Sequence, residues 1–298
     1  MSARGRITLT VLAAIPASPM ALAHGADAGT APGWSFEPWV VAPLVVSIVW
    51  FLAGATRLRG RGADAATLGR RTAFFLAGWL LLVGALVSPL HAAGARSFAA
   101  HMLEHELLML GAAPLLVLSA PVGIALWALP RRVRLALGHA GHATAWRVPW
   151  TALTGLGTAT ALQAIALWAW HAPSLFALAL ARPGWHVAQH ACFLGTALLF
   201  WHAVWRAQTR KGIAGSVGAL FFTATISGAL GALMAIANWP WYPRYAALGL
   251  TPMGLTPLED QQLAGLLMWI PGGAVHAAAA LWLLARALRS RAEVNDAT

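Results

Sequence analysis

Seven stretches of this chain are apolar for long enough to cross a bilayer, and this constrains its fold more than any other feature. A spanning helix needs roughly 20 apolar residues, and the runs at 38–56, 71–90, 97–119, 149–170, 184–205, 212–237 and 261–287 reach or approach that length. Lipid offers no partner to backbone N–H and C=O groups, so each run must pair them internally as a helix. The predicted fold is therefore all-α, a polytopic membrane bundle of seven transmembrane helices. The run at 121–129 is too short to span and is predicted to continue as an interfacial helix into RRVRLALGHAGH.

Composition agrees. The chain is 59% hydrophobic and 10% charged, where a soluble domain carries about a quarter charged residues. Its net charge of +11 is almost wholly arginine, Lys211 being the only lysine. Cys192 is the only cysteine and lies inside an apolar run, which excludes disulfides and C-x-x-C redox chemistry. A metal here would fall to His, Met or carboxylate.

The first 25 residues, MSARGRITLTVLAAIPASPMALAHG, combine two arginines, an apolar stretch and the triplet Ala21-Leu22-Ala23, the pattern of a cleavable signal peptide. The predicted organisation is a signal peptide at 1–23, an exported tail at 24–37, a membrane domain at 38–290 and a cytoplasmic tail at 291–298. With the N-terminus exported, the loops facing the cytoplasm contain Arg57, Arg59, Arg61, Arg70, Arg71, Arg131, Arg132, Arg134, Arg147, Arg206, Arg210, Lys211, Arg286, Arg289 and Arg291; only Arg96, Arg182 and Arg244 fall outside. That asymmetry satisfies the positive-inside rule. It accounts for the basic charge without a nucleic-acid partner; the partner implied is the bilayer of a bacterial inner membrane.

On this map seven of eleven histidines belong to the outer side: His24, His91, His101, His105, His171, His186 and His190. His101 and His105 share one face of the third predicted helix, because residues four apart are neighbours on a helix. His186 and His190 repeat the spacing on the fifth. Polar groups in a membrane turn inward and partner one another, so the two pairs, with His171 at the end of the fourth helix, are candidates for one site. Asp260, Met102, Met253 and Met268 lie at similar depth. Imidazole suits copper, zinc or iron, and thioether adds a preference for Cu(I), so the donor set alone leaves copper, zinc and haem open. Whether the pairs face each other is not legible. If cleavage leaves His24 first, its amine and ring offer a Cu(II) site, although HGADAGTAPG reads more simply as an exported tail.

The segment HMLEHELLML at 101–110 also spells H-x-x-E-H, used by some zinc peptidases. A peptidase needs a general base, a metal-bound water and a cleft for the peptide; Glu104 could be the base, but an apolar helix supplies no cleft. Glu104 and Glu106 fit better as acceptors that orient imidazoles. Four histidines on two helices could alternatively hold haem, giving a haem-binding or electron-transfer membrane protein, provided the third and fifth helices leave a wide apolar gap. A transporter is disfavoured by the one-sided histidines and by the lack of an inverted repeat.

Four blocks, HMLEHELLMLGAAPLLVLSAP, WHAPSLFALAL, HVAQHACFLGTALLFW and EDQQLAGLLMWIPGG, resemble in order and placement the signature of the CtaG family, multi-span assembly factors of caa-type cytochrome c oxidases. The resemblance spans residues 70–285. It implies a non-enzymatic membrane protein with oxidase subunits as clients, no small-molecule substrate, and a role in copper delivery or insertion. Carried over by position, it marks His101, His105, His186 and His190 as metal ligands, with His171 and Asp260 as auxiliary ligands or their supports. The loop WPWYPRYAALGLTPMGLTPLED would cover the site or contact the client, unless it is an ordinary interfacial loop.

Overall fold

The structure is a computed structural model describing residues 33–206 and 209–295. The predicted signal peptide, His24 and most of the exported tail lie outside the described residues, as do 296–298. Among those described there are no strands. The elements are α1 (Pro38–Arg59), α2 (Ala65–Leu86), α3 (Pro89–Gly94), α4 (Phe98–Ser119), α5 (Pro121–Ala125), α6 (Arg131–His142), α7 (Thr144–Leu153), α8 (Leu156–His171), α9 (Pro173–Ala181), α10 (Pro183–Trp205), α11 (Arg210–Ala235), α12 (Pro243–Ala246) and α13 (Pro257–Asn295). Six of the described helices are long and apolar enough to cross a membrane, or seven if the bent pair α7–α8 is one span. Large apolar side chains such as Val49, Phe221 and Leu281 stay exposed on them, as the outside of a membrane protein requires.

Three expectations need correction. The fourth predicted span is not one helix: α7 and α8 meet at 63°, because Gly155 takes an extended backbone that stops the helix and restarts it. The predicted second span, 71–90, is displaced toward its N-terminus. Asp64 caps α2 by accepting the Thr67 N–H at 2.8 Å, and the chain breaks at Ser88, whose side chain caps the separate α3. The run at 121–129 does not continue into RRVRLALGHAGH either. It forms α5 and a 3-10 turn, Leu126–Ala128, then breaks at Pro130 before α6, since the residue before a proline is pushed out of helical geometry. Arg57 donates to the Ala128 carbonyl at 2.6 Å, and Arg61 lies 5.3 Å over the Trp127 ring, which pins this segment to the end of α1.

Two apolar clusters hold the bundle. One joins α1, α2 and α4 around Phe51, Phe75 and Leu108; the other centres on Phe98, Phe176, Phe193, Phe200 and Trp201. Helices α11 and α13 touch backbone to backbone: a Cβ on Gly231 would sit 2.7 Å from the Gly265 carbonyl oxygen, and one on Gly265 would be closer still to that of Gly231. Small residues that let backbones meet replace the hydrophobic driving force that lipid does not provide.

Helix α4 carries most of the site and is irregular in its middle. Residues Leu107–Ala112 form a π-helical turn, a feature often found at functional positions. The Ala113 N–H bonds to Leu108 rather than to Met109, and Pro114 has no N–H, so the Met109 carbonyl loses its intrahelical donor. The Trp201 indole N–H on α10 replaces it at 2.9 Å.

Candidate metal centre

Ser97 starts α4 by accepting the Ala100 N–H, and Asp260 at the start of α13 completes the cap. Its carboxylate accepts the Ser97 hydroxyl at 2.7 Å and the Phe98 N–H at 2.5 Å. An anion at a helix N-terminus pairs with otherwise unpaired N–H groups and with the helix dipole. Asp260 thus positions α4, and through it His101 and His105, while its own oxygens are occupied.

The two histidine pairs meet. Ring centroids are 4.5 Å apart for His101–His105, 4.2 Å for His186–His190, 5.2 Å for His101–His186 and 5.2 Å for His105–His190. One nitrogen each from His101, His186 and His190 lies within 4.8 Å of the others. Two nitrogens on a shared ion, each bonded at ~2 Å, are at most about 4 Å apart, so binding requires only a small inward movement. His101 and His190 are buried, while His186 is half-buried and opens the group toward the surface.

Hydrogen bonds fix which lone pairs are available. The Tyr245 hydroxyl lies 2.7 Å from the Gly94 carbonyl oxygen, which can only accept, so the phenol proton points there. Burial, then the carboxylates of Glu104 and Asp260, push this phenol well above its ordinary range and keep it protonated. The same oxygen sits 3.3 Å from His101 Nδ1 and must accept its proton, which leaves Nε2 as the lone-pair nitrogen. That buried Nε2 has no hydrogen-bond partner, and neither ring nitrogen of His105 has one. Buried polar groups normally have partners, so imidazoles without them are suited to an ion.

Glu104 is fully buried beside the cluster. His91 Nδ1 donates to its Oε1 at 2.8 Å, and His190 Nε2 is 3.4 Å from the same oxygen. A carboxylate behind a histidine orients the ring and raises its basicity. Burial lowers the His91 pKa, but the hydrogen bond and the charge of Glu104 outweigh it, and the net direction is upward from 6.5.

His171 stands at the edge, its ring 6.2 Å from that of His105. Its Nδ1 donates to the Leu167 carbonyl at 2.7 Å, so the Nε2 lone pair faces the Met102 sulfur at 3.2 Å. Met268 is core and Met253 is exposed.

Sequence reasoning set His91 among the outer histidines without placing it at the site; it lies outside the apolar runs and reaches Glu104 through the short α3. No motif marks the tyrosines. Tyr242 donates to the His171 carbonyl at 2.8 Å, and Tyr245 touches His101. The chain has only two tyrosines, both in the loop expected to cover the site, and that was the available signal.

A family model described as cytochrome c oxidase caa3 assembly factor matches residues 49–290. The chain belongs to this family. The matched span includes α2 to α12, half of α1 and most of α13, so the histidine cluster and Asp260 fall inside it. Searches of curated proteins and of solved structures found no match. The caa3 assembly factor thus presents converging imidazoles, a carboxylate behind them and a tyrosine-bearing loop above.

Proposed function

We propose that this assembly factor carries copper as cargo at His101, His186 and His190, with His105 and His171 beside them, and releases it to a cytochrome c oxidase subunit on the exported face of the inner membrane. The observation that carries the reading is the convergence of three imidazole nitrogens within 4.8 Å, next to buried ring nitrogens that have no protein partner. The facing His171 nitrogen and Met102 sulfur add a soft donor pair, which favours Cu(I) over zinc.

The chain's residues divide the work. Tyr245 holds His101 in the Nδ1–H form; Glu104 and His91 brace His190; Asp260 holds the start of α4. His186, being half-buried, is the point where an ion enters or is taken by an incoming ligand. Transfer is ligand exchange, so no covalent step and no catalytic residue are required. The arginine asymmetry of the loops supports an outward orientation of the histidine end.

A haem reading needs a slot between α4 and α10. His105 instead packs at 4.7 Å on Phe193 and at 4.5 Å on His101, spacing that favours an ion over a macrocycle. Against a peptidase stands the position of Glu104, whose Oε1 is already held by His91.

Copper analysis with competition from a chromogenic Cu(I) chelator, on the parent and on a folded His101→Ala, His190→Ala double variant, tests the proposal. Copper in the variant lower than in the parent by about one equivalent, the ion of the outer site, is the expected result. Equal copper in both, or none in either after loading under reducing conditions, would sink it.

A further inference from the structure

Deeper along α4, beyond His105, lies a second polar pocket that the histidine cluster does not use. Glu106, Met109, Gln163, Thr223, Gly272 and His276 supply its polar side, from α4, α8, α11 and α13, against apolar walls that include Phe200 and Trp201 of α10, and it has about 20 Å³ of room for a water-sized guest. That suffices for one small occupant, since a single water needs roughly 10–15 Å³ by this measure.

Three atoms here are buried with no protein partner: Glu106 Oε2, Gln163 Oε1 and Thr223 Oγ1. The parent side chains are all at least nine-tenths buried. Among the described residues no cation pairs with Glu106. His276 Nδ1 donates to the Gly272 carbonyl at 2.7 Å, which leaves Nε2 as its lone-pair nitrogen. Gln163 turns its N–H toward the Met109 sulfur at 3.3 Å, which leaves its amide oxygen open. The pocket therefore offers carboxylate, amide oxygen, imidazole and thioether, nearly all acceptors, as a cation site does. A buried carboxylate without a counter-charge is costly, and one monovalent ion among these acceptors would balance it. Imidazole and thioether make that ion soft.

The placement is regular. Met102 faces His171 and Met109 faces Gln163, so α4 and the antiparallel α8 form two successive rungs, each with one thioether. Met109 lies one turn past His105, about 6 Å along the helix.

We propose that this pocket is a second Cu(I) site, formed by Glu106, Met109 and His276, that takes its ion from the outer histidines. The handover rests on the reading above; the site itself stands on its own donors.

The test uses the full-length chain in detergent with Cu(I) as the probe. In the His101→Ala, His190→Ala background, about one equivalent of Cu(I) should remain, with sulfur scattering in X-ray absorption. Adding Glu106→Gln, of the same shape without the charge, should lower affinity at least tenfold, and adding Met109→Leu should remove the sulfur signal while the protein stays folded. A double variant without copper, from a parent that binds one equivalent, overturns the inner site and leaves the outer one standing. Parent copper that survives the double variant but is lost with Glu106→Gln retains the inner site and removes the outer. Copper in the double variant that ignores both Glu106→Gln and Met109→Leu overturns the proposal. So does thermal stabilisation of the double variant by sodium alone, abolished by Glu106→Gln, which would make the occupant a hard cation.

Discussion

The indole of Trp201 donates to the carbonyl of Met109 at 2.9 Å, across the interface between α10 and α4. It serves a backbone group that the π turn and Pro114 leave without a helical donor. Trp201→Phe should cost about 1–3 kcal/mol, the usual penalty for a buried group left unpaired. Trp205→Phe is the control, because its buried Nε1 has no acceptor, and it should cost less. Denaturant unfolding in detergent compares the two.

Asp260 separates support from coordination. Asp260→Ala should destabilise the fold by about 2 kcal/mol through loss of the α4 cap, while the folded fraction keeps its copper. Loss of metal at unchanged stability would instead make the residue a ligand. Thermal unfolding and metal content of one preparation give both readouts.

Close contact between α11 and α13 predicts intolerance at Gly231. A methyl there meets the Gly265 carbonyl oxygen at 2.7 Å, so Gly231→Ala should cost about 1–3 kcal/mol as overpacking. Gly218→Ala, with nothing within 4 Å of its added Cβ, should be neutral or mildly stabilising. The melting temperatures of the two variants check this.

The ion pair between His91 and Glu104 should leave a pH signature. The folded His91 pKa is raised above 6.5, so the folded state binds the proton more tightly than the unfolded chain does. With Glu104 ionised, its contribution is complete below pH 6.5 and fades as pH rises through the raised value. The stability gap between the parent and His91→Gln should therefore shrink toward alkaline pH. A gap that widened would reverse the assignment.

Much of this arrangement was legible because it depends on periodicity. Runs of apolar residues marked the spans, and a spacing of four put His101 with His105 and His186 with His190. Features set by single hydrogen bonds were not legible. Composition stays apolar through Thr154 and Gly155, so nothing in it announces the bend between α7 and α8. The π turn follows from which carbonyl Ala113 chooses, and no pattern of side chains records that choice. Asp260 is marked in the sequence only by the family resemblance, as an auxiliary ligand or a support; the fold shows its oxygens accepting from Ser97 and Phe98. Convergence of the histidine pairs is a contact between distant segments, and spacing along one helix does not encode it.

The cap on α4 also orders events in time. Ser97 leaves the ribosome 163 residues before the carboxylate that completes its helix start, and His186 and His190 emerge between the two. Until α13 inserts, the helix bearing His101 and His105 lacks its anchor, so a half-made chain presents histidines without their final arrangement. The last span thus acts as a completion signal, since a product truncated before it would lack the carboxylate that sets the start of α4.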